Sequence, residues 1–172
     1  VYVTVNTLYK DMELKKFIDF VKQMYMAGVD ALIVQDLGAA NLIKRSFPDM
    51  KINASTQLTA NTVEDVNFLH KNGFDKVILS RELSLEEIRK IRENTEAEIE
   101  CFVHGALCVS FSGQCIMSSI LGGRSGNRGC CAQTCRLPYE LYRDYEKVAD
   151  GYLMSPKDVE TLEILPQLIE AG

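Results

Sequence analysis

Residues 28–36, Gly28-Val29-Asp30-Ala31-Leu32-Ile33-Val34-Gln35-Asp36, decide the fold. Apolar residues at helical spacing (Leu14, Phe17, Ile18, Val21, Met24, Tyr25) lead up to them and stop at the glycine. A glycine just past a helix takes the left-handed backbone conformation that ends it, at little steric cost. Ala31–Val34 then reads as a short strand buried on both faces, the habit of a parallel sheet. The phrase returns as Gly73-Phe74-Asp75 running into Lys76-Val77-Ile78-Leu79. Gly172, after a helical stretch near Val159–Ile169, looks like a third copy without its strand, so the chain reads as an excerpt of a longer fold.

Working outward, Val1–Val5 is a β-branched strand and Met12–Met26 a helix. A helix near Ala39–Ser46 precedes strand Lys51–Ala54, and one near Thr62–Lys71 precedes strand Lys76–Leu79. A helix at Leu85–Arg92, with Ser84 and Glu87 as its capping box, precedes strand Glu98–Val103. Strands alternating with helices predict a parallel α/β fold, either a barrel or an open doubly wound sheet. Polar residues follow every strand: Asn6-Thr7, Gln35-Asp36, Ser55-Thr56-Gln57, Arg81-Glu82 and His104-Gly105. In a barrel these converge on one mouth, whereas an open sheet uses one or two loops. No glycine-rich phosphate loop follows the first strand. The expectation is therefore a single domain over residues 1–172, a parallel (β/α) barrel of the TIM type, partial or truncated. A Cys/Gly/Arg-rich insert follows its fifth strand.

The 172 residues carry a formal net charge of -5, with 47% apolar and 25% charged residues. That is ordinary for a globular domain and argues against a general nucleic-acid coat, while leaving room for a local basic patch. No apolar run is long enough for a bilayer, and no signal-peptide layout opens the chain. Six cysteines under those conditions favour a reducing compartment, the cytoplasm, and metal or redox work over disulfides.

All six fall in one stretch: Cys101, Cys108, Cys115, Cys130, Cys131 and Cys135. From Cys101 to Tyr139 there is no Asp or Glu, while Arg124, Arg128 and Arg136 are present. Residues 104–137 show only one helical candidate, Gln114–Leu121, and a segment this long without regular structure is usually functional. The spacings are not the CxxC of a zinc ribbon. Thiolates gathered from a glycine-rich loop suit an iron–sulfur cluster, which takes four ligands, and the arginines would offset its negative charge.

Glu100-Cys101-Phe102-Val103-His104-Gly105-Ala106-Leu107-Cys108 with Ser112-Gly113-Gln114-Cys115 and Ser118 resembles the signature of the collagenase-like peptidase family, family thirty-two of the unknown-mechanism peptidases. Gly123–Gly129, Cys131-Ala132-Gln133, Cys135–Tyr139, Ser155–Asp158, Val34–Asp36 and Ala54–Gln57 match the same family. The name implies proteolysis of collagen-like substrates. Other members resemble iron–sulfur proteins that hydroxylate RNA bases or a quinone precursor. The resemblance implies a 4Fe–4S cluster on Cys108, Cys115 and Cys131, with Cys135 as fourth ligand and Cys130, Cys101 or Glu160 as substitutes.

Three functions follow as expectations. The first is a cluster-bearing hydroxylation enzyme or accessory protein acting on RNA or a small anionic substrate, with a second family member as a possible partner. In it His104, Arg81, Gln57 and Asn6 stand at the reacting centre, and Arg124, Arg128, Gln35 and Asp36 bind substrate. The second is a peptidase with Cys108 as nucleophile and His104 as base; no HExxH and no GxSxG elbow is present. The third is a non-catalytic RNA- or partner-binding module. Open strand edges also predict oligomers.

Overall fold

The computed structural model describes residues 1–172, and its first hundred residues form a parallel sheet covered by helices. The strands are β1 (Tyr2–Val5), β2 (Ala31–Val34), β3 (Ile52–Ala54), β4 (Lys76–Ile78) and β5 (Glu98–Glu100). They lie in sequential order, every neighbour parallel, with helices α1 (Asp11–Met26), α2 (Leu37–Ser46), α3 (Val63–Lys71) and α4 (Leu85–Glu93) between them. A doubly wound sheet reverses its strand order at a switch point, and this sheet does not. It is also open: no pairing joins β5 back to β1, so a closed barrel is absent from the chain.

Register explains which side is which. Val5, Val34, Ala54, Val77 and Ile99 form one ladder row facing the helices, where they meet Phe17, Val21, Ile43, Val66, Leu69, Ile88 and Ile91 in a single core. Each valine, leucine, isoleucine or phenylalanine fully withdrawn from water there contributes about 1.5–3 kcal/mol. The opposite face carries the row Thr4–Ile33–Asn53–Lys76–Glu98, largely polar. There Lys76 Nζ lies 3.6 Å from both Glu98 and Glu100.

Local chemistry sets the boundaries. Gly28 (φ 72°) and Gly73 (φ 89°) end α1 and α3 in the left-handed region. Asp75, two residues after the second, accepts from Ile52 N and Lys44 Nζ, both at 2.9 Å, which pins the start of β4 to β3. The Ser84–Glu87 capping box is present, as is a second at Thr62–Asp65.

After Ala97 the construction changes, and the only buried residues are Ser112, Ser118 and Ala171. The strand expected to reach Val103 stops at Glu100. Beyond it the Val103 carbonyl accepts from Thr161 N and Oγ1, and β6 (His104–Gly105) pairs antiparallel with β9 (Val159–Glu160). The expected helix at Val159–Ile169 is thereby replaced. Its first residues belong to β9, a 3-10 turn covers Leu162–Ile164, and the helix proper, α6, spans only Leu165–Glu170. Pro166 fits the first turn of a helix and not its interior. The candidate at Gln114–Leu121 is a shorter α5 (Met117–Gly122). An unforeseen hairpin, β7 (Tyr139–Arg143) and β8 (Glu146–Gly151), stands largely clear of the rest.

Candidate active site at the carboxyl ends of the strands

The strand ends present Asn6, Gln35, Ser55 and Ser80 to one region. Asn6 Nδ2 donates to Ser55 Oγ (3.4 Å), and Gln35 Nε2 donates to the Gln57 carbonyl (3.5 Å). That bond leaves Gln35 Oε1 buried with no partner; Ser80 Oγ, Arg81 Nε and, on the polar face of the sheet, Asn53 Nδ2 are in the same state. Buried polar atoms without partners each cost about 1–3 kcal/mol, so their concentration here marks a region suited to a polar ligand or ordered water.

The cysteine segment docks on these ends at more than one place, and the turn at residues 111–114 makes the densest contact. Ser112, 5% exposed, donates from N to Glu82 Oε1 (2.9 Å) and from Oγ to both Glu82 oxygens (3.1 and 3.2 Å). Its carbonyl accepts from Thr59 Oγ1 (2.6 Å), and Gln114 Nε2 donates to the same Thr59 oxygen (2.7 Å). Gly113 (φ 77°) lies so close to Gln57 that a Cβ would fall 2.2 Å from its carbonyl oxygen.

Arg81 lies over the Phe102 ring (5.0 Å to its centroid) and donates to the Ala106 carbonyl (3.2 Å). Its Nη1 is also 3.8 Å from Cys108 Sγ. His104, by contrast, sits in β6 opposite Glu160. Glu160 itself accepts from Leu162 N (2.6 Å).

The other arginines differ in what they hold. Arg128 grips Glu13 as a fork (3.1 and 2.5 Å) and donates to the Leu8 carbonyl (2.7 Å), fastening the insert to the loop after β1. The same fork, with the Lys10 backbone N–H behind it, lowers the Glu13 carboxyl to about 2. Arg136 ties Leu107 O (2.9 Å) to Ser155 Oγ (2.9 Å) and Pro156 O (2.8 Å). Arg124 donates only to the Cys130 carbonyl and keeps the rest of its guanidinium free. Asp36 N-caps α2 through Ala39 N (2.9 Å) and accepts from Tyr9 N (3.1 Å), so its carboxylate is occupied by the fold.

All six thiols are free. Cys101 shares the helix side of β5 and packs against the core; burial, then nearby Glu100, pushes its thiol up. The segments carrying the others are stitched together. Arg136, beside Cys135, holds Leu107, beside Cys108, and Ser118 Oγ, three residues past Cys115, accepts from Ala132 N beside Cys131 (2.8 Å). The chemistry of this set suits a soft, thiolate-held centre. The sulfurs do not close around one, since no three Cys, His, Asp or Glu side chains converge as a metal-holding group. Glu82, Thr59 and Glu13 carry no sequence signal for these roles, because their partners lie 30, 53 and 115 residues away.

No helix is long and apolar enough to cross a membrane. Across its whole length the chain is 45% identical to "23S rRNA 5-hydroxycytidine C2501 synthase" of Escherichia coli (strain K12), of which it covers 26%. It is 35% identical over its whole length to "tRNA hydroxylation protein P1" of Bacillus subtilis (strain 168), covering 43% of that protein. It is 41% identical over 99% of its length to "Uncharacterized protease MJ0090" of Methanocaldococcus jannaschii, covering 44%. The chain thus spans a quarter to under half of these relatives, and names from RNA hydroxylation and from proteolysis meet on one sequence. The model for peptidase family U32 matches residues 1–172, and the chain belongs to that family.

Proposed function

We propose that this chain is the substrate-facing part of an RNA-hydroxylation protein, with a nucleobase as its target and the cysteine segment as the seat of a 4Fe–4S cluster. The carrying observation is the docked insert. It brings a carboxylate-free, thiol-bearing loop against strand ends whose buried amide and hydroxyl groups lack partners. Unmet donors and acceptors of that kind suit the edge of a base better than an extended peptide, which needs a groove. Cys108, Cys115, Cys131 and Cys135 would hold the cluster, which supplies one-electron chemistry when bound. Gln35, Gln57 and Asn6 would orient the base, and the free guanidinium of Arg124 would meet a phosphate. The unreversed strand order supports closure of the sheet into a barrel by strands outside these residues. A reducing cytoplasm suits the six free thiols.

The peptidase alternative needs a base at Cys108, and the neighbour within reach of that sulfur is Arg81. The test is anaerobic reconstitution with iron and sulfide, assayed for iron, labile sulfide and visible absorption. Wild type is expected to turn brown, and Cys108→Ser and Cys115→Ser to lose the colour. Equal absorption in both variants would overturn the cluster assignment, and gelatin cleavage by metal-free protein, lost in Cys108→Ala, would restore proteolysis.

A further inference from the structure

We infer that Glu82 is a positioning residue: its carboxylate seats the turn at residues 111–114 and thereby sets Cys108 and Cys115 against the strand ends. The inference rests on the thiolate-site reading above. Glu82 follows β4 and faces the insert with three acceptor contacts, all to Ser112. Charged acceptors hold backbone N–H groups more firmly than neutral ones do. Arg81 N also reaches Ser112 Oγ (3.4 Å), so two successive residues after β4 fix one serine.

The turn lies between the two thiols, and its Ser112 is four residues after Cys108 and three before Cys115. Beside Glu82, the turn's other hold on the sheet is Thr59, through the Ser112 carbonyl and Gln114, and it is polar too. Phe111 and Ile116 point to solvent, and no apolar side chain of the insert is buried. Without hydrophobic burial, hydrogen bonds decide whether the segment stays seated. Glu82 is also one of the nearest carboxylates to a segment that has none of its own, yet all its contacts go to the N–H and hydroxyl of Ser112, so it is directed at that serine and not at a sulfur.

Three measurements on the full chain test this. The first two use reduced, metal-free protein: amide exchange of residues 110–115, and alkylation rates of Cys108 and Cys115 by iodoacetamide, read by peptide mass. The third is cobalt(II) titration followed by thiolate charge-transfer absorption. In Glu82→Ala, turn exchange and Cys115 alkylation should rise at least tenfold and cobalt affinity fall at least tenfold, with exchange of β2–β4 unchanged. Glu82→Gln keeps one acceptor oxygen and should recover part of each change, which a loss of general stability would not reproduce. Should Glu82→Ala fail to fold, Ser112→Ala and Glu82→Gln carry the same readouts. Turn exchange and alkylation within twofold of wild type in these variants would overturn the inference. Wild type that takes up no cobalt would count against the thiolate centre alone, because exchange and alkylation judge the positioning role without metal.

Discussion

Gly113→Ala tests how the insert is seated. The new Cβ would stand 2.2 Å from the Gln57 carbonyl oxygen, 2.7 Å from its carbon and 2.8 Å from its Cα, all backbone atoms that cannot swing aside. Ordinary non-bonded contact begins near about 3.5 Å, so the turn must retreat by roughly an ångström. Its hydrogen bonds to Glu82 and Thr59 run from 2.6 to 3.2 Å and have no such slack. Losing a neutral bond costs about 0.5–1.5 kcal/mol and a charged one about 1.5–3. Alanine at φ 77° adds about 1–2 kcal/mol of left-handed strain. The total, about 3–6 kcal/mol, corresponds to a rise of roughly two to four powers of ten in local opening. Hydrogen exchange by mass spectrometry should show that rise in peptides covering 105–116, while those of β2, β3 and β4 keep their protection. Gly122→Ala is the control: nothing lies within 4 Å of its Cβ position, and it closes α5. Exchange of 105–116 in Gly113→Ala within threefold of wild type would refute the reasoning.

Three further outcomes are expected. Because the Glu13 carboxyl is lowered from 4.5 to about 2 in the fold, its clamp on Arg128 contributes fully above pH 4.5 and is lost as pH falls through 2. Protection at Leu8 should drop over that window in wild type and be flat, and lower throughout, in Glu13→Gln. Asp36→Ala removes the cap of α2 and should cost about 1–2 kcal/mol, a Tm fall of several degrees in a calorimeter; a purely substrate-binding Asp36 would leave Tm unchanged. Asp144 (φ 50°) and Tyr145 (φ 67°) occupy a two-residue turn that favours Asn-Gly. Replacing both with Asn-Gly should slow exchange of the β7–β8 ladder severalfold, and unchanged exchange would count against strain there.

The first hundred residues were legible because each element carries its own signal. Gly28 and Gly73 end helices with positive φ, Ser84 caps with Glu87, and Ala31–Val34 is β2 residue for residue. Ladder order followed from the repeat of strand and helix, but closure did not, since pairing between β1 and β5 has no local signature. Beyond Glu100 the logic shifts to partners distant in sequence. Arg128 reads as a free cation until Glu13, 115 residues earlier, is seen beside it. Asp36 reads as a ligand-facing acid until Ala39 and Tyr9 use both its oxygens. Pro166 was the visible warning against a helix from Val159, since a proline there cannot sit mid-helix. The hairpin was missed because a Tyr at positive φ hides the turn that Asn-Gly would advertise.

The near absence of buried residues after Ala97 bears on how such a protein is made. Synthesis delivers the sheet first, with its core already complete in the emerging polypeptide. The thiol-bearing loop comes later and settles through polar handholds on a finished surface. Cys108, Cys130 and Cys131 stay exposed once the loop has settled, so a delivery factor could reach their sulfurs on a rigid platform.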